Sequence, residues 1–182
     1  MTRRARLLAV AIGLSAAVAV SAAGSAAMAG DEGASSGRSV RVQLSGFNED
    51  PLTISTNGNA VFRATLNKAG DTITYSLSYA DTSSAVTQAH IHFGGKAQSG
   101  GVIAFLCSNL GNAPMGTPMC PAAPATVTGT ITAASVVGPA NQGIAAGEFA
   151  ELIAAARAGK VYANIHTTMF PGGEIRGQVP GR

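Results

Sequence analysis

Residues 60–79 read AVFRATLNKAGDTITYSLSY and carry the clearest structural signal of the chain, that of a β-hairpin. Apolar and polar side chains alternate through residues 60–66 and, without interruption, through residues 72–79. Such alternation over four to eight residues is typical of a strand that buries one face. The intervening NKAGD, residues 67–71, contains the Asn, Gly and Asp that favour a tight loop. The stretch therefore predicts two neighbouring antiparallel strands.

The rest of the chain repeats this pattern, with one exception. Further strands are predicted at residues 41–44, 89–93, 102–106, 126–132, 161–167 and 174–179. In residues 147–159 the apolar side chains are instead three and four positions apart, which predicts a short helix. Arg157 near the end of that segment and Gly159 after it fit a helix C-terminus. We therefore expect an all-β fold, an immunoglobulin-like or Greek-key sandwich or barrel, with one short helix before a C-terminal hairpin.

The N-terminus has the pattern of an export signal. It begins with MTRRAR, continues with an uncharged apolar run over residues 7–20, and reaches Ala-Met-Ala at positions 27–29. This order is typical of a cleaved signal peptide. The alternative is a membrane anchor, which the Ala, Ser and Gly of the second half disfavour. We expect a cleaved signal over residues 1–29, a flexible leader over residues 30–38 and one β domain over residues 39–182.

The charge distribution excludes one class of partner. The 182-residue chain has a net charge of +3, and three of its twelve basic residues are Arg3, Arg4 and Arg6. Residues 30–182 contain nine basic and nine acidic residues, without Trp. Nucleic-acid binding needs clustered Lys and Arg or stacking aromatic side chains. We therefore expect a secreted protein with no nucleic-acid partner and no membrane span after cleavage. Its partner would be an extracellular ligand or a cell-surface component.

Cys107 and Cys120 are the only cysteines, and they flank a segment rich in Gly and Pro. An even number of cysteines in an exported protein favours a disulfide. The alternative is a metal site formed by the two thiolates, or, together with Met115 and Met119, a soft copper site. The absence of a C-x-x-C pair favours the disulfide.

The three histidines of the chain all lie in predicted strands. His90 and His92 are two positions apart and share one face, while His166 lies on the polar face of residues 161–167. If these strands are neighbours, the three imidazoles converge, and imidazole suits zinc and copper. Glu174 or Asp81 would then supply a carboxylate. The alternative is a polar strand face whose rings are hydrogen-bonded for structural reasons.

The C-terminal hairpin offers a competing use of the same residues. Pro171-Gly172-Gly173 predicts a tight turn, after which Glu174 and Arg176 share one face. Both are expected to hydrogen-bond to Asn164 or His166 across the hairpin. Such a polar network would be structural and would need no metal ion.

No known catalytic motif lies in a suitable structural context in this sequence. Its one G-x-S-x-G match, GASSG at residues 33–37, lies in the expected leader and not at the strand-to-helix turn that a nucleophile elbow needs. The sequence contains no phosphate-binding glycine loop. The adjacent acids Glu49 and Asp50 precede a proline in a turn-like stretch and are interpreted as solvated loop charges, not as an acid/base pair. We therefore expect no enzymatic activity.

Two segments resemble a known family. AHIHFG at residues 89–94, followed by GVI at 101–103, resembles the first signature of the CHRD domain, named after chordin. RAGKVYANIHT at residues 157–167, followed by FPGGEIRGQ at 170–178, resembles its C-terminal signature. The resemblance extends over residues 39–179, and the chain looks like one of the stand-alone secreted bacterial members.

The resemblance implies an extracellular all-β domain without an established catalytic activity. It also implies that His90, His92 and His166 are motif positions, and motif positions can serve the fold alone. The growth-factor partners of chordin do not carry over to a single exported domain. Two hypotheses follow: a non-enzymatic binding or structural module, and a mononuclear copper or zinc protein with redox or scavenging activity that uses the three histidines.

Overall fold

The computed structural model describes residues 38–181 and contains eight strands and one α-helix. The strands are β1 (Arg38–Ser45), β2 (Asn59–Leu66), β3 (Ile73–Ala80), β4 (Val86–Phe93), β5 (Val102–Ser108), β6 (Ala125–Ile131), β7 (Val161–Thr167) and β8 (Ile175–Val179). Helix α1 (Phe149–Arg157) precedes β7. The predicted all-β fold with a helix before a C-terminal hairpin is confirmed. The expected signal peptide lies outside the described residues, and β1 begins at Arg38, inside the stretch expected to be leader.

All eight strands belong to one antiparallel sheet. Its order is β5-β4-β7-β8-β1-β2-β3-β6, and the two edge strands β5 and β6 contact each other, so that the sheet is nearly closed. The architecture is therefore barrel-like, and β7 lies between β4 and β8. In the described part of the chain, no helix is long and apolar enough to cross a membrane.

The predicted hairpin of β2 and β3 forms, and its register places Leu66 opposite Ile73. The side chain of Asn67 organises its loop, because Oδ1 accepts hydrogen bonds from the backbone N–H groups of Gly70 and Asp71 at 2.9 and 3.1 Å. An Asn side chain that replaces backbone contacts in this way stabilises a turn. The alternating pattern places Tyr75, Leu77 and Tyr79 inside the barrel.

A tyrosine bridges the gap between the sheet edges. The Tyr75 hydroxyl donates to the carbonyl of Leu106 in β5, at 2.6 Å. Its ring passes over Gly129 in β6, where an added Cβ would lie 2.5 Å from the hydroxyl oxygen. Glycine at position 129 therefore leaves the space that the Tyr75 side chain needs to reach β5. There the hydroxyl group provides a hydrogen bond for a carbonyl group of an edge strand.

Strands β4, β7 and β8 are buried on both faces. Ala89, Ile91, Ala163, Ile165 and Ile175 point into the apolar core. The opposite face carries the polar side chains His90, His92, Asn164, His166 and Arg176, and these are buried as well. The loops that follow β1, β4 and β7 cover this second face. The face that the sequence predicts to be polar is thus enclosed.

The predicted disulfide between Cys107 and Cys120 is confirmed. It closes the loop that follows β5, and both residues are buried. Because both sulfur atoms belong to the disulfide, the alternative of a thiolate metal site is wrong.

We predict that replacing both cysteines by alanine lowers the free energy of unfolding by about 3 kcal/mol. The reason is that the crosslink no longer restricts a loop of about 14 residues in the unfolded chain. Urea denaturation of the wild type and the double variant measures this loss. A loss below about 0.5 kcal/mol would show that the disulfide does not stabilise the barrel.

Candidate metal centre

Three imidazoles meet on the enclosed face of β4 and β7. The antiparallel register sets His90 opposite Asn164 and His92 opposite Tyr162, and His166 follows two residues later on the same face. The side chains of His90, His92 and His166 are 3%, 8% and 7% exposed, which places all three rings out of bulk water. The structure therefore brings together the three histidines that the sequence proposes as ligands.

The ring nitrogens are close to one another. His90 Nδ1 lies 3.1 Å from His166 Nε2, and the ligand atoms of the three rings all lie within 4.8 Å of each other. Within residues 38–181, these three histidines are the group of His, Cys, Asp and Glu side chains whose spacing could hold a metal ion. Two nitrogens on one zinc ion are at most about 4.2 Å apart, twice a bond length of about 2.1 Å. The cluster meets this limit for its closest pair, and the widest spacing needs a small inward shift.

The hydrogen bonds of the rings determine which nitrogen carries each proton. His92 Nδ1 donates to the carbonyl of Gly100, and His166 Nδ1 donates to the carbonyl of Pro171, both at 2.9 Å. A neutral ring that donates from Nδ1 has its lone pair on Nε2. His166 Nε2 is therefore an acceptor, and His90 Nδ1 must be its donor. All three Nε2 atoms thus carry lone pairs, two of which, on His90 and His92, are buried without a hydrogen-bond partner.

Burial keeps these rings neutral. Desolvation lowers the pKa of His90 to about 2, and the neighbouring His166 and His92 contribute to this shift. Desolvation also lowers the pKa of His92 to about 4, although the hydrogen bond to Gly100 acts to raise this pKa. The pKa of His166 is lowered for the same main reason. Because a metal ion binds the neutral imidazole, the cluster is in its ligating form at neutral pH.

Aromatic and cationic side chains fix the ring of His92. It stacks on Tyr162 with the two planes 3° apart and the centroids 4.8 Å apart. Arg176 places its guanidinium carbon 3.5 Å from the centroid of the Tyr162 ring. The Arg176 Nη2 atom also donates to the carbonyls of Gly95 and Gln98, at 2.7 and 3.0 Å. The loop after β4 is thereby tied to both β7 and β8.

The expected solvated position of Glu49 is wrong, because the structure buries this carboxyl group. Its Oε1 accepts a hydrogen bond from Asn164 Nδ2 at 2.6 Å. An added Cβ at Gly173 would lie 2.8 and 2.9 Å from Asn164 Nδ2 and Glu49 Oε2, so glycine permits this approach. Desolvation raises the pKa of Glu49 to about 7, although Arg176 opposes the shift. Asp50, its neighbour, accepts a hydrogen bond from Ser99.

The carboxyl group of Glu174 has other partners than those expected. It accepts hydrogen bonds from Ser83 through Oε1 and from Thr167 through Oε2, at 2.9 and 2.8 Å. This carboxyl group therefore makes no hydrogen bond to Asn164 or His166. Instead, it connects the loop that contains Ser83 to β7. The other carboxylate proposed as a ligand, Asp81, is exposed and accepts a hydrogen bond from Asn59.

Sequence reasoning missed the groups that hold the rings in place. Glu49 meets Asn164 across 115 positions of sequence, and no local pattern signals such a contact. The carbonyls of Gly100 and Pro171 are backbone atoms, which a side-chain pattern cannot reveal. Tyr162 lies on the face that the alternation predicts, but its stacking with His92 requires the register of β4 and β7.

A family comparison agrees with the two signatures. Residues 40–179 match the family model of the CHRD domain, which is nearly the whole described chain. No curated protein and no solved structure matches this sequence. The matched range contains the three histidines and the disulfide.

We predict that Glu49→Gln changes the pH dependence of stability. The unfolded carboxyl group ionises near the ordinary glutamate pKa of 4.5, whereas the folded group has a pKa of about 7, so the wild type loses stability as pH rises between these values. Glutamine keeps an oxygen for Asn164 but cannot ionise. The difference in unfolding free energy between the two proteins should therefore shift in favour of the glutamine variant by about 3 kcal/mol from about pH 4.5 to about pH 8.

Chemical denaturation at several pH values measures this difference. The contributions of the other titrating groups are the same in both proteins and cancel in the difference. Glu151→Gln, at an exposed position of α1, is the reference for the same chemical change at the surface. A pH-independent difference for Glu49→Gln would show that Glu49 ionises normally in the folded protein.

Proposed function

The chain belongs to the CHRD domain family, and we propose that it is an exported, non-enzymatic module whose functional site is the cluster of His90, His92 and His166, which binds one zinc or copper ion. The observation that carries this proposal is the pair of buried Nε2 lone pairs on His90 and His92. A buried polar atom without a partner costs about 1–3 kcal/mol. A bound ion would supply the missing partner.

The surroundings of the rings support a ligating role. In metal-binding histidines, the ring nitrogen that does not bind the metal typically donates a hydrogen bond to a backbone carbonyl or a carboxylate. This hydrogen bond fixes the tautomer and the ring orientation. His92 and His166 both do so, through Gly100 and Pro171. Nitrogen donors without thiolates favour zinc or oxidised copper over calcium or magnesium, which prefer oxygen.

His90 is the ring that must change before the three imidazoles can bind one ion, because its Nδ1 proton points to His166. This proton now lies between His90 Nδ1 and His166 Nε2. If both nitrogens are to bind the same ion, His90 has to carry its proton on Nε2 instead. The alternative is that His90 turns its free Nε2 toward the ion and keeps Nδ1 protonated. In either case no ring needs to lose a positive charge, because the three imidazoles are already neutral.

The lack of a catalytic motif in a suitable structural context supports a module that binds and does not transform its ligand. The disulfide and the family support an extracellular location, where binding to an extracellular ligand or a cell-surface component would take place. In the rival hypothesis the histidines have a purely structural role and form hydrogen-bonded polar contacts between the sheet and the loops. The two functions differ in what happens when metal is added.

We predict that His92→Asn and His166→Asn abolish metal binding while the fold persists. An asparagine amide can replace Nδ1 as donor to the carbonyl of Gly100 or Pro171, but it has no atom at the place of Nε2. The wild type should bind one Zn²⁺ or Cu²⁺ per chain and gain about 2.7 kcal/mol of stability at roughly 100-fold excess over the dissociation constant. Calorimetric titration and thermal unfolding measure both quantities.

Tyr162→Phe is the matched control, since it keeps the stacking on His92 and removes only the hydroxyl group that contacts Gly100. This variant should bind metal like the wild type. Equal metal uptake by the wild type and both asparagine variants would contradict the proposed site. No stoichiometric binding by a folded wild type would favour the structural role.

Export can be tested separately. We predict that the protein recovered outside the cytoplasm begins at Gly30, because the Ala-Met-Ala pattern ends at position 29. Intact-mass measurement of the exported protein identifies its first residue. A chain that keeps residues 1–29 and stays with the membrane would instead indicate an anchor.

A further inference from the structure

An apolar cavity opens at one end of the barrel, on the side of the sheet opposite to the histidines. Its volume is about 90 Å³, and its wall includes Val40, Phe62, Ile91 and Val161 from the strands and Leu152 from α1. Ile91 lies between His90 and His92 in β4 and points to the other face. The cavity is therefore a second site, separated from the histidine cluster by the sheet.

The charged residues that line this cavity are both arginines. Arg38 at the start of β1 and Arg157 at the end of α1 belong to its lining and have exposed side chains. No Asp or Glu of the described residues lines it. The site thus combines an apolar interior with a cationic mouth.

The volume and the two charges define what fits. A cavity of about 150 Å³ can hold benzene, so a smaller one accepts the end of an alkyl chain and not an aromatic ring system. Guanidinium groups bind carboxylates through paired hydrogen bonds. The preceding segment of the chain, GDEGASSG at residues 30–37, has no large apolar side chain to fill the cavity.

We propose that the end of the barrel next to α1 binds an aliphatic monocarboxylate of about six to eight carbons, with the end of its chain in the cavity and its carboxylate at Arg38 and Arg157. The mouth of a β-barrel is a common place for such ligands, because the strands leave an interior that side chains do not fill completely. This site does not depend on metal binding by the histidines.

The first test uses sodium octanoate, 1-octanol and octylammonium chloride as probes of the purified exported protein. Octanoate should bind one per chain with a dissociation constant below about 1 mM, and octylammonium should bind at least about 10-fold more weakly. In Arg38→Gln/Arg157→Gln the affinity for octanoate should fall about 10-fold, while that for 1-octanol stays unchanged. Equal binding of octanoate and octylammonium would overturn the proposal.

The second test fills the cavity. Ala156 lines it and is partly buried, so Ala156→Leu should lower octanoate affinity at least about 10-fold. Ala154→Leu is the matched control, because Ala154 is exposed on the same helix. Ala64→Leu in β2 fills the cavity from another element and serves if Ala156→Leu does not fold. Unchanged octanoate binding in a folded cavity-filling variant would refute the site.

Discussion

The burial of β7 on both of its faces is the constraint on which the other features depend. One face belongs to the apolar core, through Ala163 and Ile165. The other face carries Tyr162, Asn164 and His166, and loops enclose it. A buried polar group must find a partner inside the protein, because water no longer serves it. The loops supply these partners. Backbone carbonyls and a distant glutamate therefore converge on this face, although the sequence of the strand indicates only an alternation of polar and apolar side chains.

The same burial sets the chemistry of the enclosed face. In water a histidine changes its charge near neutral pH, but removal from solvent favours the neutral ring. The three imidazoles therefore lie together without mutual repulsion, although three protonated rings at this spacing would repel each other strongly. Burial also explains the raised pKa of Glu49. The charge of Arg176 favours the ionised carboxylate but offsets the effect of burial only in part. A face with neutral rings and unsatisfied lone pairs is prepared for a cation, whereas the opposite face of the sheet, with its apolar cavity, is not.

Much of the fold follows from local sequence, and much of the site does not. The alternation in residues 60–79 and 161–167 determines strands and their polar faces, because side chains alternate with period two. It also predicts that the three histidines share a face if β4 and β7 are neighbours. That condition depends on the order of strands in the sheet, which is a property of the whole chain. The partners from loops, above all Glu49, depend on loop paths, for which the sequence has no periodic signal.

The most direct test of the account is the state of the histidine nitrogens, and the presence of only three histidines makes it a clear measurement. Nitrogen NMR of histidine-labelled protein near neutral pH should show His92 and His166 as neutral rings with the proton on Nδ1. The Nε2 signals of His92 and His166 should then move upon addition of one equivalent of Zn²⁺. Rings that titrate near about pH 6.5 like free histidine, and whose signals ignore the metal, would contradict the account.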